Sequence, residues 1–276
     1  MLPLRRLLII SRPLLYIPSV AVFLYGFVYS GSLFSVGVLI GILLFTLPLN
    51  LIVFGINDIT DRESDARNPR KGGMYGTVLN AAEAGYLRNV IISTLILGTL
   101  LLMITNNYPM LVPVAAIFVF AYVYSVRPFR LKSWPVLDSL SNGLWIASMF
   151  MAGYWAAPDG AELSLPPIRL LAAIVLCAAA YHAFTTVMDY AVDKKNGDMT
   201  IGVVLGPKLT LCVCALFYIV CSLLVGLRNT PLNLYLWLSA LLCLTGLRYD
   251  SPVSLRRICD IILFLLLPTL VGAIII

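Results

Sequence analysis

The sequence predicts an all-α protein: a polytopic membrane bundle of about nine transmembrane helices around a central cavity. Of the 276 residues, 61% are hydrophobic and only 12% are charged, whereas soluble globular domains carry about 25% charged residues. The mean hydropathy is +0.96. Apolar runs of the length that spans a bilayer as a helix, about 17–25 residues, recur along the chain. They lie at residues 14–30, 34–56, 85–104, 109–126, 136–156, 168–188, 208–227, 231–247 and 258–275.

The distribution of basic residues predicts the orientation in the membrane. If the odd-numbered runs cross outward, all but two of the 19 basic residues fall on one face, and only Arg169 and Arg228 lie on the other. Cytoplasmic loops carry an excess of Lys and Arg. We therefore expect a plasma-membrane protein with a cytoplasmic N-terminus, cytoplasmic active-site loops and an external C-terminus. The net charge of +6 reflects this topology and an anionic substrate, and no basic, aromatic-rich soluble segment indicates nucleic-acid binding.

The six cysteines lie in or beside apolar runs, and Cys212 and Cys214 lack the paired spacing of a structural zinc site. We interpret them as small apolar side chains. The basic N-terminal segment is followed by a long apolar run without a small-residue cleavage site, so a cleaved signal peptide is not expected. Ser11-Arg12-Pro13 instead marks the start of the first membrane helix.

The first acidic stretch, Asn57–Asp65, follows the second apolar run. Asn57, Asp61 and Asp65 are spaced four residues apart, so on a helix they form one longitudinal stripe. Pro69 and the glycine pair after it end the helix and let the following bases turn back toward the stripe. Acids on one face repel each other unless cations lie between them. The pattern therefore indicates divalent cations bridging the acids to an anionic ligand.

A second acidic stretch, residues 189–198, follows the sixth run. Asp189 and Asp193 are again four residues apart and are again followed by bases and a glycine. Tyr124…Pro128…Arg130 is echoed by Tyr249…Pro252…Arg256 at nearly the same offset. We expect one integral-membrane domain over residues 1–276, with a duplicated four-helix unit that faces its two acidic helix ends across the cavity.

Three interpretations of these acids predict different positions for them in the chain. Plain cytosolic loops do not explain helical spacing that occurs twice in equivalent positions. Proton or cation transport predicts acids in mid-membrane, where a charge costs about 2.5–3.5 kcal/mol on insertion scales, but these acids cluster at helix ends. Mg²⁺-bridged diphosphate fits best, because Mg²⁺ is held by one or two carboxylates together with phosphate oxygens and water.

An allylic diphosphate bound in this way ionises readily, and its carbocation needs a dry, aromatic-rich cavity. Fourteen Tyr, 12 Phe and four Trp are available to line one. Several bases near the acidic stretches can neutralise the remaining phosphate charge. These are Arg67, Arg70, Lys71, Arg130 and Lys194.

The paired acidic stretches, the predicted helix number and the loop Tyr124-Ser125-x-x-Pro128-x-Arg130-x-Lys132 resemble the UbiA superfamily of intramembrane prenyltransferases. The resemblance covers essentially the whole chain. It implies Mg²⁺-dependent transfer of an isoprenoid from an allylic diphosphate to a hydrophobic acceptor taken from the bilayer. It implies Asn57, Asp61, Asp65, Asp189 and Asp193 as metal and diphosphate ligands, the four aspartates being catalytic. It implies further diphosphate contacts from Arg67, Arg70, Lys71, Tyr124, Arg130, Lys132 and Lys194.

Within the superfamily, residues 55–73 look most like the carotenoid branch, which includes lycopene elongases. The resemblance thus implies dimethylallyl diphosphate as donor and lycopene or a related carotenoid as acceptor, with proton loss or water capture ending the reaction. An aromatic quinone precursor, a chlorophyllide or a glycerol lipid is the alternative acceptor. A cation-binding transporter is the alternative of another class. Arg62, between the acids of the first stretch, departs from the pattern.

Three further polar groups are harder to assign from the sequence. His182, the only histidine, lies two turns before Asp189, and we favour a structural role for it over that of a base. Asp138 and Asn142 lie one turn apart, and we expect them to cap a helix rather than line the cavity. Asp58 and Asp198 are interpreted as supports for the first and second acidic stretches.

Overall fold

The computed structural model describes residues 2–66, 77–104, 106–156, 165–226, 229–249 and 251–275. Within these ranges the chain forms helices and turns and contains no strand, so the predicted all-α class is confirmed. The α-helices of the first half are α1 (Leu4–Ser11), α2 (Tyr16–Tyr29), α3 (Val36–Leu44), α4 (Leu47–Thr60), α5 (Arg62–Asp65), α6 (Ala81–Ile104) and α7 (Leu111–Ser125). Those that follow are α8 (Leu137–Tyr154), α9 (Ile168–Asn196), α10 (Ile201–Leu205), α11 (Pro207–Val225), α12 (Thr230–Gly246) and α13 (Pro252–Ile275).

Each predicted apolar run coincides with a helix or a pair of helices in these ranges. Among the residues that the structure describes, five segments are long and apolar enough to cross a membrane: Val36–Thr60, Ala81–Ile104, Tyr108–Ser125, Ile168–Asn196 and Pro207–Val225. Leu4–Ser11 and Pro13–Tyr29 together make a sixth, bent by 50°. The protein is therefore a multi-pass membrane protein, while the predicted number of nine spans is not established by these criteria.

The second predicted run is broken at Phe45 and Thr46, between α3 and α4. Pro48 lies at the start of α4, where its missing backbone N–H removes no helical hydrogen bond. The Asn50 side chain donates to the carbonyl oxygens of Phe45 at 3.2 Å and Thr46 at 2.8 Å. These bonds satisfy acceptors that the break exposes, and the helix continues to the first acidic stretch.

The chain divides into two compact units. The first unit comprises residues 1–129 and 148–164, and the second comprises residues 130–147 and 165–276. The boundary falls inside α8, whose N-terminal part belongs to the second unit and whose C-terminal part belongs to the first. The first acidic stretch thus lies in one unit and the second acidic stretch in the other.

In the first unit, α2 crosses the C-terminal part of α8 with backbone against backbone. A Cβ atom added to Gly26 would lie 2.0 Å from the Phe150 carbonyl oxygen, and one added to Gly153 would lie 1.8 Å from that of Phe23. Small residues permit such close helix crossings in membranes. A separate apolar cluster packs α1 against α4 and α6, and it includes Ile10, Leu51 and Leu87.

The second unit is built on α9, which packs against α11 while α12 and α13 complete its core. The short helix α10 lies directly on α9: a Cβ atom at Gly202 would be 2.5 Å from the Thr186 hydroxyl. The Gly202 N–H donates to that hydroxyl oxygen at 3.0 Å. This contact fixes the chain that follows the second acidic stretch against the helix that carries its acids.

Candidate active site

The first acidic stretch keeps helical spacing through a local distortion. Helix α4 ends at Thr60, and Asp61 has φ −94° and ψ 5°. The Asp61 N–H still donates to the Asn57 carbonyl at 2.9 Å, and the Asp65 N–H donates to that of Asp61 at 2.8 Å. Asn57, Asp61 and Asp65 are therefore one turn apart along the chain, as the sequence predicts.

Two of the carboxylates in this stretch are partly or fully withdrawn from solvent. Asp65 is buried, and one carboxylate oxygen of Asp61 and one of Asp65 are buried. Asn57 accepts a hydrogen bond from the Ser125 hydroxyl at 3.4 Å, which ties the stretch to the C-terminal end of α7. Arg62 forms an ion pair with the largely exposed Glu63 at 3.8 Å.

Asp58 is fully buried and forms the support of the first stretch. Its Oδ1 accepts from the Arg12 guanidinium at 3.1 Å, and its Oδ2 accepts from the Thr77 N–H at 3.4 Å. The guanidinium also lies 4.2 Å from the centre of the Phe54 ring, a cation–π contact. A buried carboxylate requires such compensation, since an unpaired charge in the interior is costly.

The second acidic stretch begins on a helix without a break. Helix α9 runs through Asp189 and Asp193 and ends at Asn196. Gly197 caps it with a left-handed φ of 77°, a conformation that glycine adopts without strain. One carboxylate oxygen of Asp189 is buried. The Asp193 carboxylate accepts from the Thr200 hydroxyl at 3.2 Å, while the exposed Lys194 donates to the Tyr190 hydroxyl at 3.1 Å.

Asp198 supports the second stretch from the segment after Gly197. Its N–H donates to the Asp193 carbonyl at 3.0 Å. Its carboxylate accepts from the Ser133 hydroxyl at 2.6 Å and from the Arg130 guanidinium at 3.2 Å. Arg130 also donates to Ser133 at 2.8 Å. Arg130, which the sequence assigns to the diphosphate, is thus engaged with a carboxylate of its own unit.

His182 lies on α9 in the same unit, and one ring nitrogen is near a serine. Its Nδ1 is 3.2 Å from the Ser139 hydroxyl. Asp138 accepts from the Ser139 N–H at 2.7 Å and from the Ile201 N–H at 2.8 Å. Asn142 donates to the Asp138 carbonyl at 3.0 Å. Asp138, in the first turn of α8, therefore accepts from the first backbone N–H of α10 and links these two helices.

The structure leaves some predicted residues undescribed and adds others. Arg67, Arg70 and Lys71 lie outside the described residues. Tyr124 and Lys132 are half-buried. The sequence interpretation missed the partners of the acids. These are Arg12, Ser125, Ser133, Thr77 and Thr200.

The side chains of each acidic stretch supply only some of the ligands that a metal ion needs. In the ranges that the structure describes, no group of three or more His, Cys, Asp or Glu side chains could hold a metal ion. Each stretch offers two aspartates with partly buried carboxylates, and Mg²⁺ at such sites completes its octahedron with water and substrate phosphate. The oxygen donors therefore suit Mg²⁺ bound together with a phosphate ligand.

Comparison with known proteins agrees with this chemistry. The model of the UbiA prenyltransferase family matches residues 15–257. The chain belongs to this family. It is therefore a prenyltransferase, and the transporter alternative is set aside.

Individual relatives indicate which branch of the UbiA family this chain resembles. The lycopene elongase/hydratase of Halobacterium salinarum is 32% identical over 84% of this chain and 82% of its own length. The C(50) β-cyclic carotenoids biosynthesis protein LbtBC of a Dietzia species is 34% identical over 76% of this chain, which spans 48% of that protein. The predicted resemblance to the lycopene elongase branch is confirmed.

Solved structures show the same fold. A UbiA homologue from Archaeoglobus fulgidus bound to GPP and Mg²⁺ has a TM-score of 0.69 at 22% identity, covering 98% of this chain and 100% of its own. The same protein bound to DMAPP and Mg²⁺ gives 0.68 at 20% identity, covering 96% and 99%. The all-helical bundle predicted from the apolar runs is thus the UbiA fold.

Proposed function

We propose that this enzyme transfers a five-carbon prenyl group from dimethylallyl diphosphate to an end of lycopene or a related linear carotenoid, with Mg²⁺ as cofactor. The observation that carries the proposal is the similarity, over most of both chains, to a protein named lycopene elongase/hydratase. A protein of the same fold bound to DMAPP and Mg²⁺ supports the donor and the metal. The acceptor, being fully apolar, would enter from the bilayer.

The two acidic stretches are proposed to act on one diphosphate. Asn57, Asp61, Asp65, Asp189 and Asp193 would hold the metal ions. Buried carboxylate oxygens on Asp61, Asp65 and Asp189 support this assignment, because a desolvated carboxylate binds a divalent cation more strongly than a hydrated one does. When bound, Mg²⁺ would stabilise the charge of the departing diphosphate.

The basic and phenolic side chains near these acids would orient the diphosphate. Charge-assisted hydrogen bonds from guanidinium and ammonium groups are the strong contacts to phosphate. Lys194 is exposed in the last turn of α9, directly after Asp193 in the sequence. The proposed set is Arg67, Arg70, Lys71, Tyr124, Arg130, Lys132 and Lys194.

The reaction then needs protection from water. Ionisation leaves an allylic cation, and the terminal double bond of the acceptor supplies the electron pair for the new C–C bond. A tertiary cation on the acceptor results, and proton loss or addition of water ends the reaction. Apolar walls of the helical bundle would exclude bulk water until the C–C bond has formed.

The placement in the cell and the domain structure are part of the proposal. The basic residues favour a plasma-membrane protein with both acidic stretches at the cytoplasmic face and the C-terminus outside. Residues 1–276 would act as one catalytic domain that arose from a duplicated four-helix unit. The two compact units each contain one acidic stretch, and this arrangement supports the duplication.

The test uses membranes containing the full chain, labelled dimethylallyl diphosphate, Mg²⁺ and lycopene. We expect label in longer carotenoids and none without Mg²⁺. Matched reactions receive 4-hydroxybenzoate or a glycerol lipid instead of lycopene. Label transferred to one of these acceptors but not to lycopene would overturn the carotenoid assignment and leave the prenyltransferase activity intact.

A further inference from the structure

Helix α1 joins the ends of two membrane helices in the first unit. Arg12, the residue after α1, pairs at 3.1 Å with Asp58 in the last turn of α4. Arg6 donates at 3.1 Å to Glu83 in the first turn of α6, and at 3.0 Å to the Val78 carbonyl. The end of α4 and the start of α6, the next membrane helix, lie at the same face of the bilayer. Helix α1 therefore lies across that face.

A bend separates α1 from the membrane helix that follows it. The segments Leu4–Ser11 and Pro13–Tyr29 meet at 50°. Arg12, between them, has a left-handed φ of 52°, and its N–H donates to the Ile9 carbonyl at 3.2 Å. The second segment rises about 24 Å at 1.5 Å per residue, which is most of the roughly 30 Å hydrocarbon core. This length places α1 near the boundary between acyl chains and headgroups.

One side of α1 packs against the protein. Ile10 and Ser11 are fully buried. Leu7 packs against the apolar cluster that contains Leu51 of α4 and Leu87 of α6. These contacts fix the rotation of α1 about its own axis and so determine which side chains lie on its outer side.

The outer side of α1 is apolar with one charge. Leu4 and Leu8 lie one helical turn apart, on the same face, and are 68% and 37% exposed. Arg5, between them in the sequence, is also exposed. A leucine pair gains stability only where its surface is removed from water. At the bilayer boundary the leucines contact acyl chains, while the long arginine side chain reaches the headgroups.

The charge of this segment favours an anionic surface. Residues 1–57 contain three arginines and no acidic residue. Arg6 and Arg12 are paired with acids of other helices, whereas Arg5 projects on the exposed side. Basic residues next to a bilayer attract anionic lipid headgroups. The charge of Arg5 therefore complements an anionic headgroup better than a zwitterionic one.

We propose that α1 is an anchor helix at the cytoplasmic surface of the membrane. Leu4 and Leu8 contact acyl chains there, and Arg5 binds the phosphate of an anionic lipid headgroup. This inference rests on the cytoplasmic N-terminus of the proposed function and does not depend on the prenyl acceptor. Because α1 ends at Arg12, which pairs with Asp58, the lipid contact also steadies the support of the first acidic stretch.

The first experiment tests where α1 lies. The full chain carries a fluorophore on Leu8→Cys and is reconstituted in phosphatidylcholine vesicles, with Cys212→Ser removing the exposed native thiol. The same protein without Leu8→Cys supplies the background signal. We expect brominated lipid to quench the label strongly and aqueous iodide to quench it weakly. Lys195→Cys, at an exposed position in the last turn of α9, is the matched aqueous reference and should give the reverse pattern.

The second experiment uses the same label to measure headgroup preference at α1. Phosphatidylglycerol and phosphatidylcholine are mixed in equal amounts, and each in turn carries the bromine. We expect about a fivefold preference for phosphatidylglycerol, the factor that corresponds to about 1 kcal/mol per basic residue near the surface. Arg5→Gln should remove most of this preference and Arg5→Lys should keep it. Arg169→Gln, at an exposed arginine on the predicted external face, is the matched control and should leave it unchanged.

The outcomes that would overturn the proposal are distinct. Iodide quenching at position 8 as strong as at Lys195→Cys would show that α1 faces the cytosol. Quenching by neither agent would show that protein, and not lipid, covers this side of α1. Equal quenching by the two lipids, or a preference that survives Arg5→Gln, would refute headgroup binding by Arg5.

These measurements are independent of enzyme activity. If Leu8→Cys does not fold, Leu4→Cys on the same face carries the label and the same criteria apply. A chain that fails to transfer label to lycopene refutes the proposed reaction and leaves the quenching results as they stand.

Discussion

The two acidic stretches are supported in opposite ways. In the first stretch, the supporting carboxylate, Asp58, lies within the helix and is fully buried against Arg12, in a pair at 3.1 Å. In the second, the supporting carboxylate, Asp198, follows the helix, and its side chain and that of Arg130 each remain 21% exposed, in a pair at 3.2 Å. The same chemical pair is therefore part of the core in one unit and near the surface in the other.

The difference shows that one kind of ion pair can support the two acidic stretches with different effects on stability. Arg12 and Arg130 both have left-handed backbone conformations, with φ of 52° and 39°, and each precedes a 3₁₀ turn that leads into a helix. The position of the arginine is thus similar in the two units. What differs is the desolvation of its partner, and desolvation determines how costly loss of the pair is.

The largest expected effect tests whether the two stretches act together. Asp61→Asn and Asp189→Asn should each lower Mg²⁺-dependent diphosphate release by about 10³-fold or more. Each variant removes a carboxylate that would hold the Mg²⁺ ions, and those ions would stabilise the departing diphosphate. The double variant should lose little beyond either single variant, as expected of residues that act as a unit. Asp260→Asn, at a half-exposed aspartate on α13, is the matched control and should retain wild-type release. If the fold-loss of the double variant equals the product of the two single fold-losses, the stretches act independently.

The next effect concerns Arg12, whose removal leaves Asp58 buried without its cation. Breaking a buried pair from one side costs about 3–5 kcal/mol. Arg12→Ala should therefore lower the Tm in detergent by roughly 5–15 °C, using the size scaling for larger domains. Arg12→Ala combined with Asp58→Asn should recover much of this loss, because the uncompensated charge is gone. A double variant no more stable than Arg12→Ala would contradict a charge-based explanation.

A smaller effect is expected for the partly exposed pair. Arg130→Ala should cost about 0.2–1 kcal/mol, the range measured for solvent-exposed ion pairs, and shift the Tm by only a few degrees. If Arg130 also contacts the diphosphate, the same variant should raise the KM for dimethylallyl diphosphate. Measuring Tm and KM on one preparation separates the two roles. A destabilisation equal to that of Arg12→Ala would remove the contrast between the units.

The smallest effects should come from the hydroxyls that contact the motif residues. Ser125→Ala removes a donor to Asn57, and Thr200→Val removes a donor to Asp193. The neutral hydrogen bond to Asn57 contributes about 0.5–1.5 kcal/mol, and the bond to the Asp193 carboxylate contributes about 1.5–3 kcal/mol because its acceptor is charged. The Mg²⁺ concentration for half-maximal activity should therefore rise about twofold to tenfold for Ser125→Ala and about tenfold or more for Thr200→Val. A titration of activity against Mg²⁺ measures this. Unchanged titrations for both variants would show that these hydroxyls do not orient metal-binding groups.

Periodicity and composition predict much of this protein, because membrane helices satisfy their own backbone hydrogen bonds and therefore appear as long apolar runs. The stripe of Asn57, Asp61 and Asp65 and the pair Asp189 and Asp193 follow from the four-residue spacing alone. The supporting roles of Asp58 and Asp198 were also inferred from position. The structure assigns both aspartates to ion pairs.

The partners of these acids could not be identified in this way. Arg12 lies 46 residues from Asp58 and Arg130 lies 68 residues from Asp198, and no local pattern links residues so far apart. From the sequence, Arg12 is interpreted only as one charge on the basic face and as part of the segment that starts the first membrane helix. A basic residue beside a proline at the start of an apolar run was the available signal, and it indicates a helix start equally well. The contact between Ser139 on α8 and His182 on α9 likewise joins residues that are distant in the sequence.

The crossing of α2 with α8 at Gly26 and Gly153 constrains how this protein can change over evolution. Carbonyl oxygens occupy the space that any side chain at these positions would need. Even Gly→Ala is therefore not tolerated at either position without a shift of the two helices. Aromatic rings surround the crossing, with Tyr25 and Tyr29 at 5.6 and 6.0 Å from the Phe150 ring. Substitutions in this region are therefore expected at those rings, while the two glycines keep the backbones of α2 and α8 in contact.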